Sequence, residues 1–223
     1  MIPVAVLDAA SCQCLELGIR ILQGYRLGDT DDAHIAALLE YMAPAPGSSW
    51  VDIGCGFGEP ARLMQEARPD LHFELVNNNE FQLGVVPGHL SAWSADMHNL
   101  PFADQTFDGA MFLYSLCHGA LFYALKEAGR VVKDGGRLFV FDYIRLQDTK
   151  KLRALTLDTL GARFWSFEEW LAYVQASDWQ DCRMAFPAGS DNVFRQAFGA
   201  NREALYDQIF ADLVPVILTA TMR

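Results

Sequence analysis

No stretch of the 223 residues approaches eighteen consecutive apolar positions, so no membrane span is expected. Basic residues are scarce: 17 Lys and Arg stand against 28 Asp and Glu, for a net charge of -11. Neutralising nucleic-acid phosphates takes clustered cations, and nucleic acid is therefore not an expected partner. The five cysteines are an odd number. Cys12 and Cys14 are one residue apart, and no paired Cys/His cluster occurs elsewhere. That pattern gives neither a disulfide framework nor a metal site. The opening Met1-Ile2-Pro3-Val4 has no basic region, and Asp8 and Glu16 interrupt the apolar residues after it. No signal peptide is expected, and the location expected is cytoplasmic. Internal repeats and low-complexity tracts are also missing.

What is present is a globular composition, 52% hydrophobic and 12% aromatic, of a length suited to one α/β domain with a small appended cap. The chain is organised around Trp50-Val51-Asp52-Ile53-Gly54-Cys55-Gly56-Phe57-Gly58-Glu59-Pro60. A short apolar run leaves a Pro/Gly/Ser-rich lead-in and stops at three alternating glycines. Pro60 and the helix formers of 61–67 then open a helix. Strand, glycine turn and helix N-terminus form the first crossing of a doubly wound sheet, where ligands bind at the carboxyl ends of strands. A dinucleotide fingerprint reads G-x-G-x-x-G, with pyrophosphate on the helix N-terminus. Here the third glycine comes one residue early and Glu59 takes the later position. A carboxylate there repels pyrophosphate and tolerates a ligand carrying a sulfonium and an ammonium.

Around this stretch, 4–25 has an irregular helical pattern punctuated by Gly18 and Gly24. Asp29-Thr30-Asp31-Asp32 supplies caps for a helix over 34–41. Residues 1–45 are read as an N-terminal helical layer, in which Tyr25 and His34 are packing or surface residues in reach of a ligand. A second strand over 71–76 ends on Asn77-Asn78-Asn79, and 81–90, with Gly84, Pro87 and Gly88, gives only a short irregular helix. Asp96-Met97 precedes Leu100-Pro101-Phe102, and Phe107-Asp108 opens a fourth, near-continuously apolar strand through Tyr114. A helix over 120–132 leads to Gly135-Gly136 and a fifth strand, 138–142. Ser166-Phe167-Glu168-Glu169 is a capping box. The sixth strand is expected over 179–186, a helix over 192–213, and a closing strand over 214–220.

Asp-x-Gly-x-Gly-x-Gly, the Asp-…-Leu-Pro-Phe-…-Phe-Asp stretch and the paired-glycine turn are ordered over 50–142 as in the class I S-adenosylmethionine-dependent methyltransferases, which the chain resembles. The resemblance implies a doubly wound, mostly parallel seven-stranded sheet in the order 3-2-1-4-5-7-6, with helices on both faces and a small helical cap. Residues 46–223 would be that Rossmann-like domain. The implied cofactor is S-adenosyl-L-methionine, held by Asp52, Gly54, Cys55, Gly56, Gly58, Asn77, Asn78, Asp96, Met97 and Tyr114. Asn77 stands where the family usually has the acid that binds the ribose, and Glu80 is the nearest substitute. His118, in the loop after the fourth strand, is the candidate general base, with Tyr114 beside it. Asp142 and Tyr143 are packing or capping residues that could meet substrate.

No Asn-Pro-Pro-Tyr-type tetrapeptide occurs, which disfavours amino-methylation of bases or glutamine side chains. The activity implied is methylation, on carbon or oxygen, of a small apolar or aromatic metabolite of the quinone, sterol or secondary-metabolite kind. The alternative is a protein of the same fold that uses the cofactor structurally, for cyclisation or decarboxylation or as a binding module. The sequence also leaves room for a homodimer.

Overall fold

The computed structural model describes residues 4–190 and 203–223. Seven strands form one sheet in the order β3-β2-β1-β4-β5-β7-β6. They are β1 (Ser49–Ile53), β2 (His72–Asn77), β3 (Ser91–Ser94), β4 (Phe107–Leu113), β5 (Val132–Arg145), β6 (Trp179–Ala185) and β7 (Leu213–Met222). The pairs β3–β2, β2–β1, β1–β4 and β4–β5 are parallel, whereas β7 runs antiparallel to both β5 and β6. The implied fold and its strand order are therefore present.

Residues alternate across the sheet with the period of two that a strand imposes. Val51, Ile53, Ala110, Phe112, Leu138 and Val140 enter one core, against Leu121, Leu125 and Ala128 of α5 (Leu121–Val131) and Trp170 and Val174 of α7 (Phe167–Ala176). Trp50, Met111, Leu113, Phe139 and Phe141 enter the other, against Ala61 and Met64 of α3 (Glu59–Ala67) and Ile35, Leu38 and Met42 of α2 (Asp31–Met42). Gly109 makes room for Trp50, since a Cβ there would lie 2.5 Å from the indole. A third cluster, with Cys117, Tyr143, Leu152, Phe164 and Ile209, lies beneath α6 (Lys150–Leu160) and α8 (Glu203–Phe210) and forms the cap.

Local signals account for the element ends. Thr30 caps α2 by accepting from Ala33 N at 3.1 Å, and Ser166 and Glu169 close the capping box on α7. The 81–90 stretch yields only α4 (Glu80–Leu83), which packs against α1 (Val4–Glu16). The paired-glycine turn differs from expectation: β5 begins earlier, at Val132, and 132–137 is a bulge between the pairs Phe107–Val132 and Gly109–Arg137. Gly136 fills the tight side of that bulge, where a Cβ would lie 2.9 Å from Asp108 O. Of the helix expected over 192–213, residues 192–202 lie outside the described residues, and α8 ends at Phe210, before β7 begins at Leu213. All five cysteines are free. Among the described residues no helix is long and apolar enough to cross a membrane.

Candidate active site

The carboxyl ends of β1, β2 and β4 open on a cavity of about 450 Å³. Its floor is the turn after β1, where Gly54, Gly56 and Gly58 all have positive φ (81°, 57° and 71°). The three glycines serve different purposes. A Cβ on Gly54 would lie 2.4 Å from Ser115 Cβ, so the absent side chain lets the loop after β4 dock on the turn. Ser115 Oγ donates to Ile53 O at 2.6 Å and fastens the two loops. Gly56 faces Leu22, 3.2 Å from where its Cβ would be, in the segment that crosses over the turn. Gly58, expected to bind cofactor, does not line the cavity; it faces Leu75 and Val86 and shapes the start of α3. Gly54→Ala, combining a left-handed φ with the Ser115 clash, is expected to cost about 2–4 kcal/mol. Thermal denaturation should show a melting point lower by several degrees, and an unchanged one would mean that Ser115 yields freely.

Asp52 is 1% exposed, and neither of its carboxylate oxygens has a hydrogen-bond partner. Burial pushes its pKa up to about 7. Glu59, in contrast, does not face the ligand space. It binds Arg62 at 2.6 and 3.0 Å and faces Arg20 at 3.6 Å, and chiefly through Arg62 its pKa is lowered. The sequence argument from a carboxylate on the helix N-terminus thus transfers to Asp52, one strand position upstream of the turn.

Asn77 lines the cavity, but its amide is already engaged. It donates to Gly56 O at 3.3 Å and to Gln82 Oε1 at 2.8 Å, and accepts from Asn79 N at 3.3 Å. It braces the glycine turn against α4. Glu80 is exposed and outside the cavity wall, whereas Asn78 is exposed within it. Asn79, not singled out by the sequence, caps α4 and reaches Asp8 at 3.0 Å. Asp96 and Met97 line the next sector. His98 donates to Asp96 Oδ1 through its backbone N at 2.9 Å and through Nδ1 at 2.6 Å, while its Nε2 accepts from Ala120 N at 2.9 Å. Cys55 is buried in the wall, and burial raises its thiol well above the usual range.

Tyr114 follows β4 with a φ of 56°, a left-handed conformation unfavourable for a residue with a Cβ. Its ring lies 5.0 Å from Tyr143 and 4.8 Å from Phe141. Burial first, then Tyr143 and Asp142, keep the phenol protonated. His118 follows in a short 3₁₀ turn, Leu116–His118, anchored where Arg163 N donates to Cys117 O at 2.7 Å. Its Nδ1 approaches Gly161 O at 3.4 Å, so Nδ1 carries the proton and Nε2 is left as the base. Protein packed around the ring lowers its pKa, and the Gly161 carbonyl only partly offsets this. The imidazole still lines the cavity and is reachable through it. Asp142 is not in the wall; it is buried and accepts from Cys117 N at 3.2 Å and Tyr143 N at 2.8 Å. Tyr25 and His34 also lie outside the wall, His34 wholly buried in the packing of α2.

A buried, unpartnered carboxylate beside a bare glycine turn fits a cationic, extended ligand. Asp52 would hold an ammonium, Asn78 and Asp96 would face a nucleoside, and the loop bearing His118 would look onto the reacting group. Sheet order, turn and loop placement together are those of the class I S-adenosylmethionine-dependent methyltransferase fold. Residues 51–140 match the family described as "Methyltransferase domain", which together with the fold supports that class. It is 32% identical over 126 residues to the sterol 4-C-methyltransferase of Caenorhabditis elegans, a match covering 53% of this chain and 37% of the relative. It is also 32% identical over 121 residues to the demethylmenaquinone methyltransferase of Corynebacterium kroppenstedtii, with coverages of 52% and 51%. The chain thus spans about a third to a half of the length of the curated relatives it matches. Among solved structures, the [4+2]-cyclase SpnF superposes with a TM-score of 0.75 at 19% identity, covering 98% of this chain and 91% of that one. Geranyl diphosphate C-methyltransferase of Streptomyces coelicolor gives 0.70 at 15% identity, covering 90% and 91%. At these identities the likeness is one of fold.

Proposed function

We propose that the chain transfers a methyl group from S-adenosylmethionine to a small, uncharged apolar or aromatic acceptor, on carbon or oxygen. The observation that carries this reading is a cavity with two unlike ends. Asp52 and the glycine turn stand at one. At the other the described lining is Tyr114, Cys117, His118, Tyr143, Ala162, Phe164 and Phe210, without a Lys or Arg. Such a wall favours a flat apolar molecule over a phosphorylated one. The cofactor supplies a methyl group already activated on a sulfonium. The chain's part is to hold the acceptor in line, exclude water, and take a proton at His118 Nε2 when the acceptor is a hydroxyl or an acidic carbon. Tyr114, as a neutral phenol, can orient an acceptor oxygen by donating to it.

Titration calorimetry with S-adenosylhomocysteine should show one site per chain, and NAD should give no heat. Heat for NAD alone overturns the assignment. A second reading draws on the SpnF superposition, which covers 98% of the chain: the cofactor would be bound without transfer, in support of a cyclisation. Incubation with methyl-labelled cofactor and a panel of quinones, phenols and sterols separates the two. Label in any product supports transfer, whereas an altered but unlabelled product supports the second reading.

A further inference from the structure

Gln23 belongs to no motif, yet it lines the cavity at 3% exposure, in the segment whose Leu22 packs on Gly56. Its neighbour fixes which way its amide points. Leu27 N donates to His34 Nδ1 at 3.0 Å, so Nδ1 is an acceptor and the proton of the neutral ring sits on Nε2. Nε2 contacts Gln23 Oε1, the only atom of that amide able to accept from it. Ring neutrality is secured by burial and then by the nearby Arg26 charge, which lower the His34 pKa to about 3. The other end of the Gln23 amide is therefore an NH2, and Nε2 of Gln23 has no hydrogen-bond partner. Buried donors of this kind are rare without a partner and costly.

Of the oxygen acceptors a ligand can bring to such a donor, a carboxylate makes the strongest, charge-assisted bond. The segment lies over the glycine turn, and Asp52, with its unpartnered carboxylate, lines the same cavity. Arg20, in the same wall, is turned to Glu59 at 3.6 Å. We infer that Gln23, oriented by His34, is the donor for the carboxylate of an α-amino-acid group whose ammonium is held by Asp52. The inference rests on the proposed cofactor, whose aminoacyl end has those two charges.

The test compares two probes by calorimetry: S-adenosylhomocysteine, and 5′-methylthioadenosine, which keeps the nucleoside and lacks the aminoacyl carboxylate. Gln23→Glu keeps an acceptor for His34 and puts negative charge where the donor was. It is expected to weaken S-adenosylhomocysteine by at least tenfold, the loss typical of a hydrogen bond to a charged group, and to leave 5′-methylthioadenosine within twofold. Gln23→Met, which introduces no charge, should show the same split if the first variant does not fold. Equal loss for both probes, or loss for neither, overturns the inference. A parent protein that binds neither probe overturns the proposed cofactor instead.

Discussion

Replacing His118 by alanine is expected to lower kcat about a hundredfold while leaving S-adenosylhomocysteine affinity within a few-fold. The ring contacts Gly161 O through Nδ1, and its Nε2 is the free base at the acceptor end of the cavity. The protein packed around the ring holds its pKa below the ordinary 6.5, so the neutral form dominates at pH 7. A base that must be unprotonated gives a rate that falls on the acid side, as pH drops through that lowered pKa. The variant should lack this acid limb, because the group that titrates there is gone. A variant that turns over at the parent rate would leave positioning alone as the source of catalysis. Loss of both fold and cofactor binding would make His118 a packing residue.

Asp52→Asn is expected to stabilise the ligand-free protein at pH 8 and to weaken S-adenosylhomocysteine by more than tenfold. The carboxyl has a pKa near 7 in the folded chain against 3.8 ordinarily, because burial disfavours the charged form. Between those values the folded chain holds a proton that the unfolded chain has lost. Stability therefore falls as pH rises from about 4 to 7, by roughly 4 kcal/mol at most for a shift of about three units. Asn carries no charge to desolvate and removes this slope. A cationic ligand acts in the opposite sense, favouring the carboxylate, so binding at pH 6.5 should release protons. Calorimetry in buffers of different ionisation enthalpy reads that release directly. Proton-neutral binding together with an unchanged pH slope in Asp52→Asn would show that the carboxyl is solvated or otherwise paired.

The parts legible in the sequence are those a backbone must satisfy locally. The alternating glycines require left-handed turns, the central strands β4 and β5 carry near-continuous apolar runs, and Ser166 with Glu169 closes a cap within four residues. The antiparallel insertion of the closing strand came with the family resemblance. What could not be read are side-chain partnerships made over long separations. Asn77 looks like a ribose ligand in its strand, but Gly56 and Gln82 engage its amide, and Gln82 in turn donates to Ser11 at 2.8 Å. Glu59 looks poised for a cation and finds Arg62 and Arg20. Gln23 has no local signature, because its role is set by the His34 ring eleven residues on and by a cavity built from other elements.

The placement of β7 has a kinetic consequence. β5 and β6 are each complete in sequence well before Leu213–Met222, yet β5 is paired only on its β4 side and β6 has no partner strand until β7 arrives between them. Arg137 must meet Thr221, and Trp179 must meet Met222, so two edges close in one late event. Pairings this distant along the chain carry a large loop-closure entropy and slow folding. The aromatic edge at Trp179 and the run Leu138–Phe141 stay open meanwhile, and that interval is when the chain is most exposed to association with its own copies.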